Sequence, residues 1–145
     1  MPGFTIIQKS SCTALWVDVK AMSNGKEFVG RGLLDTGAAR SALTVDVKTF
    51  LNLTDSTDKH NVNTANGPDH VPYYLIDITL CDNVDFSDVE FDLFKSYNGG
   101  PDFLIGMDII SRGNLAVTNY SGTLMVSFES PSRGNWALRQ RQTSV

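Results

Sequence analysis

The sequence predicts an all-β domain, and three observations predict it. Apolar residues recur at every second position in several segments. Asn-Gly and Gly-Pro turn signals separate those segments. Helical spacing is confined to two short stretches. A period of two belongs to strands with distinct faces. Many short strands joined by such turns make a barrel or a sandwich. The 145 residues, at 15.9 kDa, suit one domain with a real core.

Each element follows in order. Thr13, Leu15, Val17 and Val19 alternate with Ala14, Trp16, Asp18 and Lys20, which predicts a strand. Asn24-Gly25 then reads as a hairpin turn into the apolar strand Val29 to Leu34. The stretch Val45 to Leu53 has room for a turn of helix. Residues 61–72 are polar and centre on Asn66-Gly67-Pro68. Tyr74, Ile76, Ile78 and Leu80 mark the next strand, and Val89, Phe91 and Leu93 another. Around the latter, Asp82, Asp85, Asp88, Glu90 and Asp92 read as a solvated face that discourages edge pairing. Their spacing fails the calcium-loop pattern. Asn98-Gly99-Gly100-Pro101 is a turn before the apolar run from Phe103. A short helix is expected from Gly106 through Arg112, with Gly113 as its left-handed stop. Ser121-Gly122 is the last turn signal.

Composition narrows the function. A net charge of −4 argues against a nucleic-acid binder, whose affinity comes largely from neutralising phosphates. No apolar run approaches a membrane helix in length, and no signal peptide is evident, so a cytoplasmic protein is expected. Two cysteines, Cys12 and Cys81, are too few for a disulfide scaffold and are expected reduced and at least half-buried. His60 and His70 lack the neighbours a metal site needs. All 16 acids precede position 131, whereas Arg133, Arg139 and Arg141 follow it with none. Residues 1–130 therefore read as the domain and 131–145 as a polar basic tail, with Trp136 and Leu138 as its sizeable apolar groups.

Chemistry concentrates in Gly32-Leu33-Leu34-Asp35-Thr36-Gly37-Ala38. An acid directly after two leucines is costly unless its carboxylate is hydrogen-bonded. Gly37 permits tight backbone geometry, and Ala38 keeps the space beside the carboxylate open. Alone, the triplet also suits a strand ending in a turn. About seventy residues on lies a second apolar run that ends in glycine, Phe103-Leu104-Ile105-Gly106-Met107-Asp108.

Together these segments resemble the retropepsin-like aspartic proteases, particularly the bacterial-type members, over residues 5–128. Leu33 to Ala38 matches the catalytic signature. Thr64-Ala65-Asn66-Gly67, followed by Val71-Pro72-Tyr73-Tyr74, takes the place of the flap hairpin. Leu104 to Asp108 matches the apolar-apolar-Gly motif before the family's short helix. The resemblance implies a small closed β-barrel acid-protease fold with one short α-helix towards its C-terminal part. It also implies an aspartic endopeptidase that needs no cofactor and no metal.

The chain holds one Asp-Thr-Gly and no second Asp-Thr-Gly or Asp-Ser-Gly. A carboxylate dyad needs two acids, so activity implies a homodimer acting on a peptide or protein substrate. The resemblance makes Asp35, Thr36 and Gly37 catalytic. It makes Ala38, Ala39, Arg40, Ala65, Asn66, Gly67 and Pro68 substrate-binding. Retroviral members commonly carry an acid where Ala39 stands and Gly-Arg where Gly106-Met107 stands, so dimer architecture and substrate-backbone binding are expected to differ. Arg40 either lines the cleft and favours acidic or polar substrate side chains, or pairs with one of the chain's acids. The alternative to an enzyme is a non-catalytic retropepsin-like dimerisation or peptide-binding domain. A more distant one is an unrelated ligand-binding barrel.

Overall fold

Eleven strands and two short helices make up the described part of the computed structural model, which covers residues 2–9, 11–64 and 66–131. In chain order the strands begin with β1 (Gly3–Lys9), β2 (Trp16–Ser23), β3 (Lys26–Leu34) and β4 (Ala42–Thr44). Helix α1 (Val45–Phe50) follows, then β5 (His60–Thr64), β6 (Gly67–Val71), β7 (Tyr73–Leu80) and β8 (Val84–Phe94). The chain continues through β9 (Phe103–Ile105), α2 (Met107–Ile110), β10 (Asn114–Tyr120) and β11 (Thr123–Glu129).

Six strands close a barrel in the order β2-β3-β9-β4-β8-β7. The predicted turn starts it: Asn24 and Gly25, both at positive φ, join β2 to β3 with Ser23 opposite Lys26. Such turns match the twist of paired strands. Alternation then decides which side chains enter. Val17, Val19 and Ala21 from β2, and Tyr74, Ile76, Ile78 and Leu80 from β7, are buried while their neighbours are not. On β8 the register shifts opposite Ile76 and Ile78. Asp88 takes positive φ there, and its N–H donates to Asp77 Oδ1 at 2.9 Å. This bulge lets Phe86 and Val89, three apart, both reach the core.

The remaining strands pack around the barrel. β1, β11 and β10 form a three-stranded sheet, with the predicted Ser121-Gly122 turn joining β10 to β11. Val126 and Phe128 bury its inner face, and Phe128 meets both Phe4 and Phe86. The hairpin β5–β6 is a two-stranded sheet of its own. The stretch Val45 to Leu53 holds a real helix, α1, which buries Val47 and Leu51. Asn52 at positive φ turns the chain away after it.

The closed barrel is the fold the motifs imply. Four details differ from expectation. Helix α2 is one turn long, and Gly113 is not its left-handed stop. Gly113 is small because Glu129's backbone carbonyl lies where a side chain would start. Asp85, Asp88 and Glu90 are exposed as expected, but Asp92 is only 4% exposed. There β8 lies between β4 and β7 and is no longer an edge. Cys12 is exposed and Cys81 half-buried, and both are free. Burial pushes the Cys81 thiol up from its ordinary pKa, since a thiolate would lose its hydration there. Among the described residues no helix is long and apolar enough to cross a membrane. The tail predicted for 131–145 lies outside the described residues except Pro131.

Candidate active site

Strand β3 delivers Asp35. Its last residues pair in parallel with β9, Leu33 beside Leu104 and Leu34 beside Ile105. The Asp35 N–H then donates to the Ile105 carbonyl at 2.9 Å. The chain turns at once, with the Ala38 N–H donating to the Asp35 carbonyl at 3.2 Å. The carboxylate is half-buried, and Oδ1 accepts the Gly37 N–H at 3.0 Å. Oδ2 has no hydrogen-bond partner among the described residues. A Cβ on Gly37 would sit 3.3 Å from Oδ1, a tight contact that would press on the carboxylate.

The second motif braces this turn from behind. The Met107 N–H donates to the Ala38 carbonyl at 2.8 Å. A Cβ on Gly106 would come within 2.8 Å of that oxygen and of the Arg40 backbone, so only glycine allows the approach. Ser41 is fully buried, and its hydroxyl is used twice. It accepts the Gly106 N–H at 3.0 Å and donates to Asp108 Oδ1 at 2.7 Å. The Asp108 carboxylate also accepts the N–H of Ser41 at 3.0 Å and of Ile109 at 2.9 Å. The Ser41 hydroxyl and both Asp108 carboxylate oxygens are thus hydrogen-bonded, as buried polar groups require.

Arg40 leaves the loop on its other side. Its Nε donates to Asp92 Oδ2 at 2.9 Å, and Nη2 donates to the Asn61 carbonyl of β5 at 2.9 Å. Of its two expected roles, the structure shows the pairing with an acid. The other Asp92 oxygen lies 2.5 Å from His60 Nδ1, and the Asp92 N–H donates to the Ser41 carbonyl at 2.9 Å. His60 Nε2 faces Glu90 at 3.4 Å, and its ring stacks on Tyr73 with centroids 4.1 Å apart.

The predicted site residues therefore fall into two groups. Asp35, Thr36, Gly37, Ala38, Ala39 and Arg40 share one loop, where Thr36 and Ala39 are exposed. Asn66, Gly67 and Pro68 lie at the end of the β5–β6 hairpin, with Gly67 at positive φ, and Ala65 lies outside the described residues. Arg40 and Asp92 join loop and hairpin through the hairpin's root. Sequence reading missed Ser41, His60, Asp92 and Asp108 as parts of this assembly. Asp108 had a signal, being an acid directly after the glycine motif. Among the described residues no group of three or more His, Cys, Asp and Glu side chains is placed to hold a metal ion.

The family model for aspartyl proteases matches residues 19–109, from β2 into α2. The crystal structure of a retropepsin-like aspartic protease from Rickettsia conorii superposes with a TM-score of 0.56. It covers 86% of this chain and 91% of that one at 17% identity, a likeness of fold. A protein of unknown function from Legionella pneumophila gives a TM-score of 0.43 at 21% identity, over 66% of this chain and 83% of that one. No curated protein matches the sequence.

Proposed function

The chain belongs to the aspartyl protease family, in its retropepsin-like form, and from that premise we propose that it is an aspartic endopeptidase active as a homodimer. One observation carries the reading. Asp35 stands on a fully braced turn with Oδ1 held by the Gly37 N–H and Oδ2 left over. A carboxylate that is oriented but not saturated is what a reacting group requires.

The chain holds a single Asp-Thr-Gly, so the second acid comes from a second copy. Two carboxylates at a two-fold axis cannot both ionise cheaply, and the pair keeps one proton. The ionised member takes a proton from a water between them. The resulting hydroxide attacks the scissile carbonyl. The protonated member donates to the developing oxyanion and then passes its proton on as the C–N bond breaks. The exposed Thr36 hydroxyl is free to bond across to the other copy and brace the pair.

Hairpin β5–β6 serves as the flap. Its exposed Asn66 and Pro68 flank Gly67, where a side chain would meet open space. An extended peptide lies between flap and Asp35 loop, pairing its backbone near Gly37 and with the flap, with Ala38 and Ala39 beside them. Closure excludes water from the dyad.

Light scattering across protein concentration, paired with peptide cleavage by the parent and Asp35→Asn, tests this. The expected result is a mass near twice 15.9 kDa and cleavage that falls by at least about a hundredfold in the variant. A folded parent that dimerises but cleaves nothing makes the chain a peptide-binding or dimerisation module.

A further inference from the structure

We propose that Asp92 is a positioning residue that fastens the β5–β6 hairpin to the Asp35 loop, and that protonation of His60 sets how tightly the fastening holds. The proposal deepens the protease reading, because it gives the flap a regulated root.

One buried carboxylate does both jobs. Asp92 Oδ2 takes Arg40, five residues after Asp35, and Oδ1 takes His60, the first residue of β5. Arg40 adds a second tie by donating to the Asn61 carbonyl. The Asp92 side chain is 5% exposed, so it depends on these partners rather than on water. Its own backbone is locked to Ser41. The hairpin otherwise pairs strand for strand only with itself.

Charge within the cluster balances only when His60 is protonated. Against its ring lie Asp92 and Glu90 from β8 and the Tyr73 ring from β7, and Arg40 from the Asp35 loop shares the Asp92 carboxylate. Two carboxylates meet one guanidinium. An imidazolium makes the group neutral and donates from both nitrogens, towards Asp92 and towards Glu90. Neutral imidazole has one N–H, so one carboxylate then faces a lone pair. The stack on Tyr73 covers one face of the ring and leaves its nitrogens pointing in plane towards the two carboxylates. Imidazole is the side chain that gains or loses charge nearest neutral pH, so the hairpin root should be tighter with His60 charged than with it neutral.

Hydrogen exchange of the hairpin amides, residues 60–71, corrected for the intrinsic rate at each pH, reads this directly. In the parent their protection relative to the β2–β3 amides should fall about tenfold from pH 5 to pH 8, the worth of one charge-assisted hydrogen bond. His60→Gln should flatten the slope. Glu90→Gln, at an exposed residue that the fold does not need, should shrink it. If peptide is cleaved, KM of the parent should rise with pH more steeply than that of His60→Gln. A parent with pH-independent hairpin protection overturns the proposal, as does a His60→Gln or Glu90→Gln variant with the parent's slope. Exchange needs no turnover. A parent that shows the slope but cleaves nothing upholds the fastening and removes only the protease reading.

Discussion

The Asp35 loop and the β5–β6 hairpin are held by opposite means. The loop is tied mainly by backbone hydrogen bonds to Ile105 and Met107 and through the buried Ser41 hydroxyl, itself held by Asp108. The hairpin is anchored at its root by Arg40, Asp92 and His60. A reacting carboxylate needs placement within about 0.5 Å, which buried backbone bonds supply. The flap role proposed for the hairpin requires opening and closing, which a few charged contacts permit. The loop is thus fastened through its main chain and the hairpin through a few side chains, a short distance apart.

Breaking the loop side should have the larger effect. Gly106→Ala places a methyl group 2.8 Å from the Ala38 oxygen and the Arg40 backbone. Backbone cannot rotate away as a side chain can, so a loss of about 2–3 kcal/mol is expected in urea unfolding. Activity should fall with it, because Asp35 moves with the turn. A variant as stable as the parent would show that the turn yields, and the contrast between loop and hairpin would fail.

Ser41→Ala comes next. It strands the Gly106 N–H and one bond to Asp108, at a cost of about 1–3 kcal/mol by the same measurement. Ser41→Thr keeps the hydroxyl but adds a methyl group at a fully buried site. Partial recovery by Ser41→Thr would separate the hydrogen bond from the packing.

The smallest effect lies at a charged contact outside both regions. The Lys48 ammonium first, and the Tyr74 hydroxyl second, hold the Asp55 carboxyl below its ordinary pKa of 3.8. In the other direction, burial and then Asp55 push the Tyr74 hydroxyl far above its ordinary range. A depressed carboxyl stabilises the fold above its unfolded pKa, and that contribution is lost as pH falls through the folded value. Asp55→Asn should therefore melt slightly below the parent at neutral pH, with the two curves converging in acid. Asp55 is exposed, so the gap should be small beside that of Ser41→Ala. A gap that persists unchanged in acid would mean packing, not charge, holds this contact.

Much of this assembly was legible in the residue order, and the reason is local. Asn24-Gly25 and Ser121-Gly122 carry their own turn chemistry, and alternation over Tyr74 to Leu80 marks a half-buried strand wherever it lies. Asp35 and Gly106 were found because each ends an apolar run. Asp92 was misread because alternation assigned it the face of Asp88 and Glu90, while Arg40 and His60, brought from elsewhere in the chain, cover that end of β8. Partners such as Arg40 and Asp92, 52 residues apart, or Ser41 and Asp108, 67 apart, follow from barrel closure and leave no trace in local pattern. The short helix was legible too, but Gly113 was explained by conformation when its cause is the crowding of Glu129.

The outer sheet also bears on how the polypeptide can be connected. Gly3 pairs with Glu129, and the Ser130 N–H donates to the Pro2 carbonyl at 3.1 Å. Positions 2 and 130 thus share one address at the rim of the molecule. A short peptide bridging them would close the described chain into a ring without disturbing a strand. The ring could then be cut at an exposed turn such as Asn98-Gly99. A permuted chain that kept the barrel would show that linear order and three-dimensional shape are separable in this fold.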